Sequence, residues 1–430
     1  MGKSGRKRVA GEAATGTQVE GSSQRLLHLA EVLVNVRGGL RDLVIGSGLQ
    51  VLEAMLEEDR EALCGPIRKK QEDRQAYRYG HDRGQLVLGG RKISVPKPRV
   101  RSVAGREMQL SSWEAFSSED PLQDRVMQQI LVGVSSRGYE KSLEELPPEV
   151  ASIGVKKSSV SRRFVARTSK QVEAFMSRPL GELDLPIIMI DGTELGEHLL
   201  LVALGIDWTG RKYVLGVREG VTESYETCRS LLRDLIGRGL VVERARLFVI
   251  DGSKGLRKAI RKCFGQWARV HRCHVHKVRN VLDHLPSHKR PWVGAQMRRA
   301  WHQRTAAKAR ADLLRLAAGL ENEHPGAAGS LREGLEETLT LMKLGARGSL
   351  YKTLRSTNPI ENIHDTVKRV ARNVKRWRGG SMVLRWAVTG LMEAESRFRR
   401  INGYRQMPAL LAQLESNVRE EVSEADRKIA

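Results

Sequence analysis

The sequence predicts an α/β fold: a sheet-centred domain interrupted by a helical insertion and preceded by helical and helix-turn-helix-like regions. Three observations carry this expectation. From Pro186 onward, apolar runs of strand length alternate with segments of helical periodicity. Two of those runs, Ile187–Ile190 and Ala245–Ile250, each close on an Asp-Gly pair. Residues 292–345 carry no strand signal and are rich in Ala, Leu and Arg. Short apolar runs bounded by turn residues read as buried strands, and longer periodic segments as helices.

The elements before that domain are read in order. Residues 1–23 are basic, then Gly/Ser/Thr-rich, and are expected to form a disordered arm. Residues 24–120 should hold N-terminal helices and a β-hairpin. Leu26, Leu29, Leu33, Val36, Leu40 and Leu43 recur at helical spacing, with breaks expected at Gly38-Gly39 and Gly46-Ser47-Gly48. Gln85–Leu88 and Arg91–Val95 flank Gly89-Gly90, a hairpin signal, and Pro96 and Pro98 mark the continuation as an edge strand. Residues 121–180 read as a helix-turn-helix-like DNA-binding region. Val126, Ile130 and Val134 suit one helix, and Tyr139, Leu143 and Leu146 a second. Ser158 or Ser159 should cap a third that buries Val160 and Phe164 and presents Ser161, Arg162 and Arg163 outward. The pattern fits an ordinary surface helix equally well.

The domain itself begins with strands at Ile187–Ile190, His198–Trp208 and Arg211–Val217, an antiparallel meander. A helix over Tyr225–Arg238 follows, then a strand over Ala245–Ile250 and a helix over Lys254–Phe264. A short strand, Arg269–Arg272, and a helix from Cys273 to Leu285 complete the run. That is the element order of a ribonuclease-H-like fold. Its first part spans residues 186–285, a helical insertion 286–350, and a completing segment 351–405. The completing segment should form a basic helix over Pro359–Trp377 and another over Met382–Arg400, and residues 406–430 should be a C-terminal tail.

Charge narrows the function. The 430 residues contain 74 Lys and Arg against 50 Asp and Glu, a net charge of +24, and 40% are hydrophobic. A length of 430 suits two to four domains at ~150 residues each. The excess charge calls for a polyanionic partner, nucleic acid first. It is concentrated: residues 251–300 carry 13 basic and 2 acidic residues, and residues 351–400 carry 12 and 4. These hundred residues hold 19 of the 24 excess charges. No apolar run approaches the ~20 residues of a membrane span, and no signal-peptide core follows the N-terminus. Four cysteines in so long a chain make no disulfide framework, so the protein reads as intracellular.

Acids inside this basic region need a physical reason. Asp251 is the sole acid between Glu243 and Asp283, and Glu361 the sole acid between Glu337 and Asp365. If the strands before Asp191 and Asp251 are parallel neighbours, both carboxylates emerge at the same sheet edge, where open α/β sheets bind ligands. Hard divalent cations take carboxylate oxygens and bridge to phosphate. Two such ions about 3.5–4 Å apart would activate the attacking oxygen and stabilise the leaving one. Asp-Gly after a strand is also ordinary turn chemistry. Gly252-Ser253-Lys254-Gly255 lacks the spacing of a nucleotide phosphate loop, and Gly46-x-Gly48 lacks the third glycine and preceding strand of a dinucleotide site.

Four motifs taken together resemble the mutator-type transposases of bacterial insertion sequences: Ile190-Asp191-Gly192, Val249-Ile250-Asp251-Gly252, Arg272-Cys273-His274-Val275-His276-Lys277-Val278-Arg279-Asn280, and Ser356-Thr357-Asn358-Pro359-Ile360-Glu361-Asn362. The resemblance runs from the first helices to about Tyr404. It implies catalytic, metal-binding Asp191, Asp251 and Glu361, separated by 60 and 110 residues. It further implies a ribonuclease-H-like domain that cuts and joins DNA at terminal inverted repeats with two Mg²⁺, for which Mn²⁺ can substitute. The partners expected are element-end and target DNA and further copies of the chain, a homodimer or higher oligomer, with no membrane, in a bacterial cytoplasm at the nucleoid. DNA contacts are expected from Arg162 and Arg163, from Lys254, Arg272, His276, Arg279 and Asn280, and from Asn358, Lys368, Arg369, Arg372, Lys375, Arg376 and Trp377. A DNA-binding regulator, or a nuclease without strand transfer, would share most of these features.

Cys273 and His276 match the family's Cys-x-x-His pair. By spacing alone the pair is half a zinc site, but no second cysteine pair exists to complete it. Burial of Cys273, with His276 positioning a loop or DNA near Asp251, is the expectation. Trp377, and with less support Trp301, would either stack on an unpaired base or pack a helix onto its neighbours.

Overall fold

A computed structural model describes residues 46–67, 75–88, 90–117, 121–143, 152–153, 155–220 and 222–429. The expected basic arm and the helices read over residues 24–45 lie outside the described residues, as does Leu146. The chain divides into two compact units, residues 1–126 with 137–160, and residues 127–136 with 161–430.

In the first unit, helix α1 spans residues 46–64 and starts where a break was expected. A glycine costs about 1 kcal/mol in a helix interior. Gly46 and Gly48 stand in the first turn, and Leu52 and Leu56 anchor the helix in the unit's core. Strands β1 (Ala76–Leu88) and β2 (Arg91–Ser102) form the hairpin, closing at the Leu88–Arg91 pair beside Gly90, whose φ is +86°. The expected edge-strand continuation is corrected: β2 is central. Its second edge pairs β3 (Glu107–Met108) at Val100 and Arg101, and β4 (Ser152–Ile153) at Lys92 and Ile93. Pro96 and Pro98 fall between those two short partners, where their missing N–H groups interrupt no ladder on that edge. Helix α2 (Ser111–Ser117) lays Trp113 over Gly84, where a Cβ would come within 2.0 Å of the indole.

Helices α3 (Pro121–Leu131) and α4 (Lys157–Ser177) flank the helix-turn-helix-like region. Val160 and Phe164 are buried and Ser161 and Arg162 exposed, as their spacing predicts. The middle helix is not there among the described residues: Glu140–Ser142 forms one 3-10 turn. Tyr139 is fully buried and donates its hydroxyl to the Gly90 carbonyl at 2.7 Å, a tertiary anchor that local periodicity does not contain.

The second unit is built on a five-stranded sheet in the order β7-β6-β5-β8-β9. Its strands are β5 (Ile187–Leu195), β6 (His198–Ile206), β7 (Lys212–Gly220), β8 (Arg246–Ile250) and β9 (Ala268–Arg272). β5, β6 and β7 form the expected antiparallel meander, while β5, β8 and β9 are parallel. Both faces are covered, which is why Ile187–Ile190 and Arg246–Ile250 are buried without interruption. Helices α5 (Tyr225–Gly237) and α6 (Lys254–Phe264) close one face, over Ile188, Ile190 and Ile250.

After β9 come α7 (His274–Leu282), α8 (Arg290–Ala300), α9 (Ala306–Leu320), α10 (Pro325–Arg332), α11 (Leu335–Thr338), α12 (Thr340–Lys343) and α13 (Gly348–Leu354). Helices α7 to α11 share a core of their own, with Val293, Met297 and Leu313 at its centre. Helices α14 (Asn358–Ala371) and α15 (Gly380–Glu395) then cover the second sheet face, over Met189 and Val202. The expected basic helix to Trp377 ends six residues early, at Ala371. The segment after it turns Trp377 onto Gly196, where a Cβ would meet the indole at 2.2 Å. The expected C-terminal tail, residues 406–430, holds α16 (Met407–Ile429), which buries Met407, Leu410, Leu414 and Val418, one helical face, against the same core. Among the described residues no helix is long and apolar enough to cross a membrane.

Candidate active site

The parallel pairing of β5 with β8 ends at Ile190 opposite Ile250. Both isoleucines face α5 and α6. Alternation therefore turns the next residue of β5, Asp191, to the opposite face, where α14 packs. Asp251 follows Ile250 at the matching position. Asp251 is close enough to act on the Asp191 carboxylate, which is 7% exposed. Asp191 does not end its strand, as the short apolar run suggested. β5 continues to Leu195, paired to β6 throughout.

Glu361 reaches the same place from α14. It lies in the helix's first turn, three residues before His364, so the two share a face. His364 Nδ1 stands 3.6 Å from Asp191 Oδ2. Burial holds the imidazole down to about 4, so at neutral pH this is a polar approach rather than an ion pair. Pro359 in the first turn costs no hydrogen bond there and pre-sets the helical φ.

The third support is the Cys-x-x-His segment. Cys273 caps α7, and its N–H donates to the Ile250 carbonyl at 2.7 Å, tying it to the residue before Asp251. Thr357 links the parts. Its hydroxyl donates to Glu361 Oε1 at 2.9 Å and stands 3.3 Å from His276 Nδ1, and its N–H donates to Cys273 Sγ at 3.4 Å. Cys273 is buried, as expected. Burial pushes its thiol up, but hydrogen bonds with His276 and Thr357 outweigh burial and leave it lowered. His276 is raised to about 9 by its hydrogen bond with Cys273, with Asp191 and Asp251 adding to the effect. It is therefore a cation at neutral pH facing the two aspartates.

Negative charge still predominates. Burial, then Asp251, pushes Asp191 up to about 7, with Glu361 and Glu223 adding and His276 opposing. Glu223, between β7 and α5, was not anticipated. Burial and Asp251 hold it above the ordinary carboxylate range. The signal that could have found it was the pair of glycines after the aspartates. A Cβ at Gly192 would stand 2.0 Å from Glu223 Oε1, and a Cβ at Gly252, whose φ is +112°, would stand 2.2 Å from Arg272 Nε. Each Asp-Gly thus leaves space for a specific charged side chain.

Asp251 is fixed by its own turn. Ser253 N–H donates to Asp251 Oδ1 at 2.9 Å, and the Ser253 hydroxyl accepts from Leu256 N–H as the cap of α6. Among the described residues no three His, Cys, Asp or Glu side chains enclose a single ion. His271 and His274, on either side of Cys273, are buried, and burial lowers the basicity of both. What the arrangement offers is an open group of hard oxygen donors.

The basic residues separate by position. Arg162, Lys254, Arg279, Asn280, Asn358, Lys368, Arg369, Arg372, Lys375 and Arg376 are exposed, while Arg163, His276 and Trp377 are half-buried. Arg372 donates to the Val132 carbonyl at 3.2 Å. Arg272 is 3% exposed and paired with Glu333 at 2.8 Å, an internal brace between β9 and the helices that follow. Trp301 is core: it stacks on His274 at 4.0 Å and donates to Thr338 Oγ1 at 3.2 Å, which leaves no face for a base.

Comparison with known proteins agrees with the motifs. The chain is 28% identical over 403 residues to the transposase for insertion sequence element ISRM5 of Rhizobium meliloti (strain 1021), covering 92% of this chain and 97% of that protein. It is 30% identical over 278 residues to the transposase for IS6120 of Mycolicibacterium smegmatis, covering 63% and 84%. It is 25% identical over 381 residues to the transposase for IS1081 of Mycobacterium tuberculosis (strain ATCC 25618 / H37Rv), covering 85% and 87%. The family described as Transposase, Mutator family matches residues 19–400, and the chain belongs to that family of transposases.

Proposed function

We propose that this transposase cuts and joins DNA at the terminal inverted repeats of an insertion sequence by metal-assisted phosphoryl transfer, with Asp191, Asp251 and Glu361 as its catalytic carboxylates. The domain we assign to this chemistry is ribonuclease-H-like, comprising β5–β9 with α5–α7 and α14, and helices α8–α13 are its insertion. The observation that carries the proposal is the matched position of Asp191 and Asp251 on parallel neighbours, with α14 bringing Glu361 to them across 110 residues.

The donor set fits Mg²⁺ or Mn²⁺. Its oxygens are hard, it carries excess negative charge, and it is open, as suits an ion completed by water and substrate phosphate. When bound, two such ions activate the attacking oxygen and stabilise the leaving 3′-oxygen. Asp191 and Asp251 hold and space them, and Glu361, oriented by Thr357, completes the set. The nucleophile is water in cleavage and a DNA 3′-hydroxyl in strand transfer, so no protein–DNA bond forms. The exposed Lys and Arg of α6, α7 and the segment 368–376 neutralise the DNA backbone, in a homodimer or higher oligomer on DNA.

The test is Asp251→Asn incubated with element-end DNA and Mg²⁺. Cleavage should be abolished while DNA binding persists, because the basic residues remain. Cleavage at the wild-type rate would sink the proposal. Pre-cut ends with free 3′-hydroxyls then separate a transposase, which joins them to target DNA, from a nuclease, which does not.

A further inference from the structure

We infer that Glu223 is a fourth carboxylate of the metal-binding set, sharing an ion with Asp251. The inference deepens the proposed function and rests on its metal site. Four observations converge on Glu223. Its Oε1 occupies the space that a Cβ on Gly192, the residue after Asp191, would fill at 2.0 Å. The backbone of residues 223–225 lies within 2.9–3.3 Å of where a Cβ on Gly255 would be, so a second glycine admits the segment that carries it. Ser253, whose N–H holds Asp251 Oδ1, also favours the ionised form of Glu223, so one residue acts on both carboxylates. The basic group that acts on Glu223 is His276, already shared with Asp191 and Asp251.

A solubilising glutamate at the end of a strand would point to water. This one lies on the α5 side of Gly192, with its carboxylate against the residue that follows Asp191. Like charges gathered in a half-buried place repel one another, and the arrangement becomes favourable when a cation stands between them. Asp251 and Glu223 then supply two protein oxygens to one ion, and Asp191 and Glu361 remain for the other.

The experiment uses the full-length protein on pre-cut element-end DNA. Mn²⁺ binding is counted by electron paramagnetic resonance, and the Mg²⁺ dependence of strand transfer is measured in parallel. Glu223→Gln should weaken one Mn²⁺ site by about 10-fold or more. It should raise the half-saturating Mg²⁺ concentration to match, and leave DNA affinity unchanged. Gly192→Ala, which displaces the carboxylate without removing an ionisable group, should shift metal dependence the same way. Combined with Glu223→Ala it should add nothing further, because its methyl then enters vacated space. Glu223→Asp should recover part of the affinity, and it keeps the test available if the glutamine variant folds poorly. Wild-type Mn²⁺ stoichiometry and Mg²⁺ dependence in Glu223→Gln, with Asp251→Asn inactive, would overturn this inference alone. Full activity in Asp251→Asn would overturn the proposed function itself.

Discussion

Metal binding should expel a proton from Asp191 at mildly acidic pH. The carboxyl is lifted from 3.8 to about 7, first by burial and then by Asp251. That is about 3 units, on the order of 4 kcal/mol between its two protonation states. At pH 6 the metal-free site keeps this proton in about nine-tenths of molecules, and at pH 8 in about one-tenth. A divalent ion requires the ionised form, so binding displaces the proton, and apparent affinity should rise about tenfold per pH unit until it levels near pH 7. Calorimetric titration with Mn²⁺ in two buffers of different ionisation enthalpy counts the protons released. The wild type should release about one more at pH 6 than Asp191→Asn does, and the two should converge at pH 8. The same shift has a sign for stability. Between about pH 4 and pH 7 the folded metal-free chain binds more protons than the unfolded chain, so stability falls as pH rises through that window. Saturating Mg²⁺ should restore it. Equal proton release from both proteins at pH 6 would mean that Asp191 is already ionised there.

Two further outcomes test the scaffold. Gly252→Ala places a Cβ at φ +112° and 2.2 Å from the buried Arg272 guanidinium. Strain together with a displaced brace should cost about 3 kcal/mol in urea unfolding, and a loss below about 0.5 kcal/mol would contradict that placement. Lys277 is fully buried against the Ser330 and Glu333 carbonyls and is lowered to about 7, first by burial and then by Arg272. Between about pH 7 and pH 10.5 the unfolded chain binds the extra proton, so stability should rise with pH. The gain from pH 7 to pH 9 has a ceiling of about 2 kcal/mol, since the two carbonyls favour the ammonium. Lys277→Met should flatten that rise in urea melts at the two pH values.

Much of the second unit was legible because its signals are local. Ile187–Ile190 and Leu247–Ile250 are apolar on both faces, which a strand covered on both sides requires. The run of strand, helix and strand from Pro186 to Leu285 therefore appears in its predicted order, with β5 carried on from Ile190 to Leu195 by its pairing with β6. Asp251 and Glu361 stood out because an acid in basic surroundings is chemically conspicuous, and Asp191 because it follows a buried-strand run and precedes a glycine, as Asp251 does. The failures came where a distant partner decided the outcome. Pro96 and Pro98 marked an edge, yet β2 is central, because its outer partners are two short strands that leave the prolines uncovered. The turn at Glu140–Ser142 replaces a helix where Tyr139 is anchored to Gly90. Trp301 could pack or stack by composition, and the stacked His274 decides for packing.

Residue identity and local spacing were enough for the family, the strand and helix order of the sheet domain, and the concentration of positive charge around Asp251 and Glu361. These depend on residue identity and on spacing within one element, which a chain displays before it folds. Tertiary structure alone decided which charges meet. It turned Arg272 inward to Glu333, drew His276 to the aspartates, and set Glu223 against Gly192, beside Asp191. Those pairings join residues tens of positions apart, and their energies depend on burial and distance, quantities that exist only once the sheet and its helices have packed.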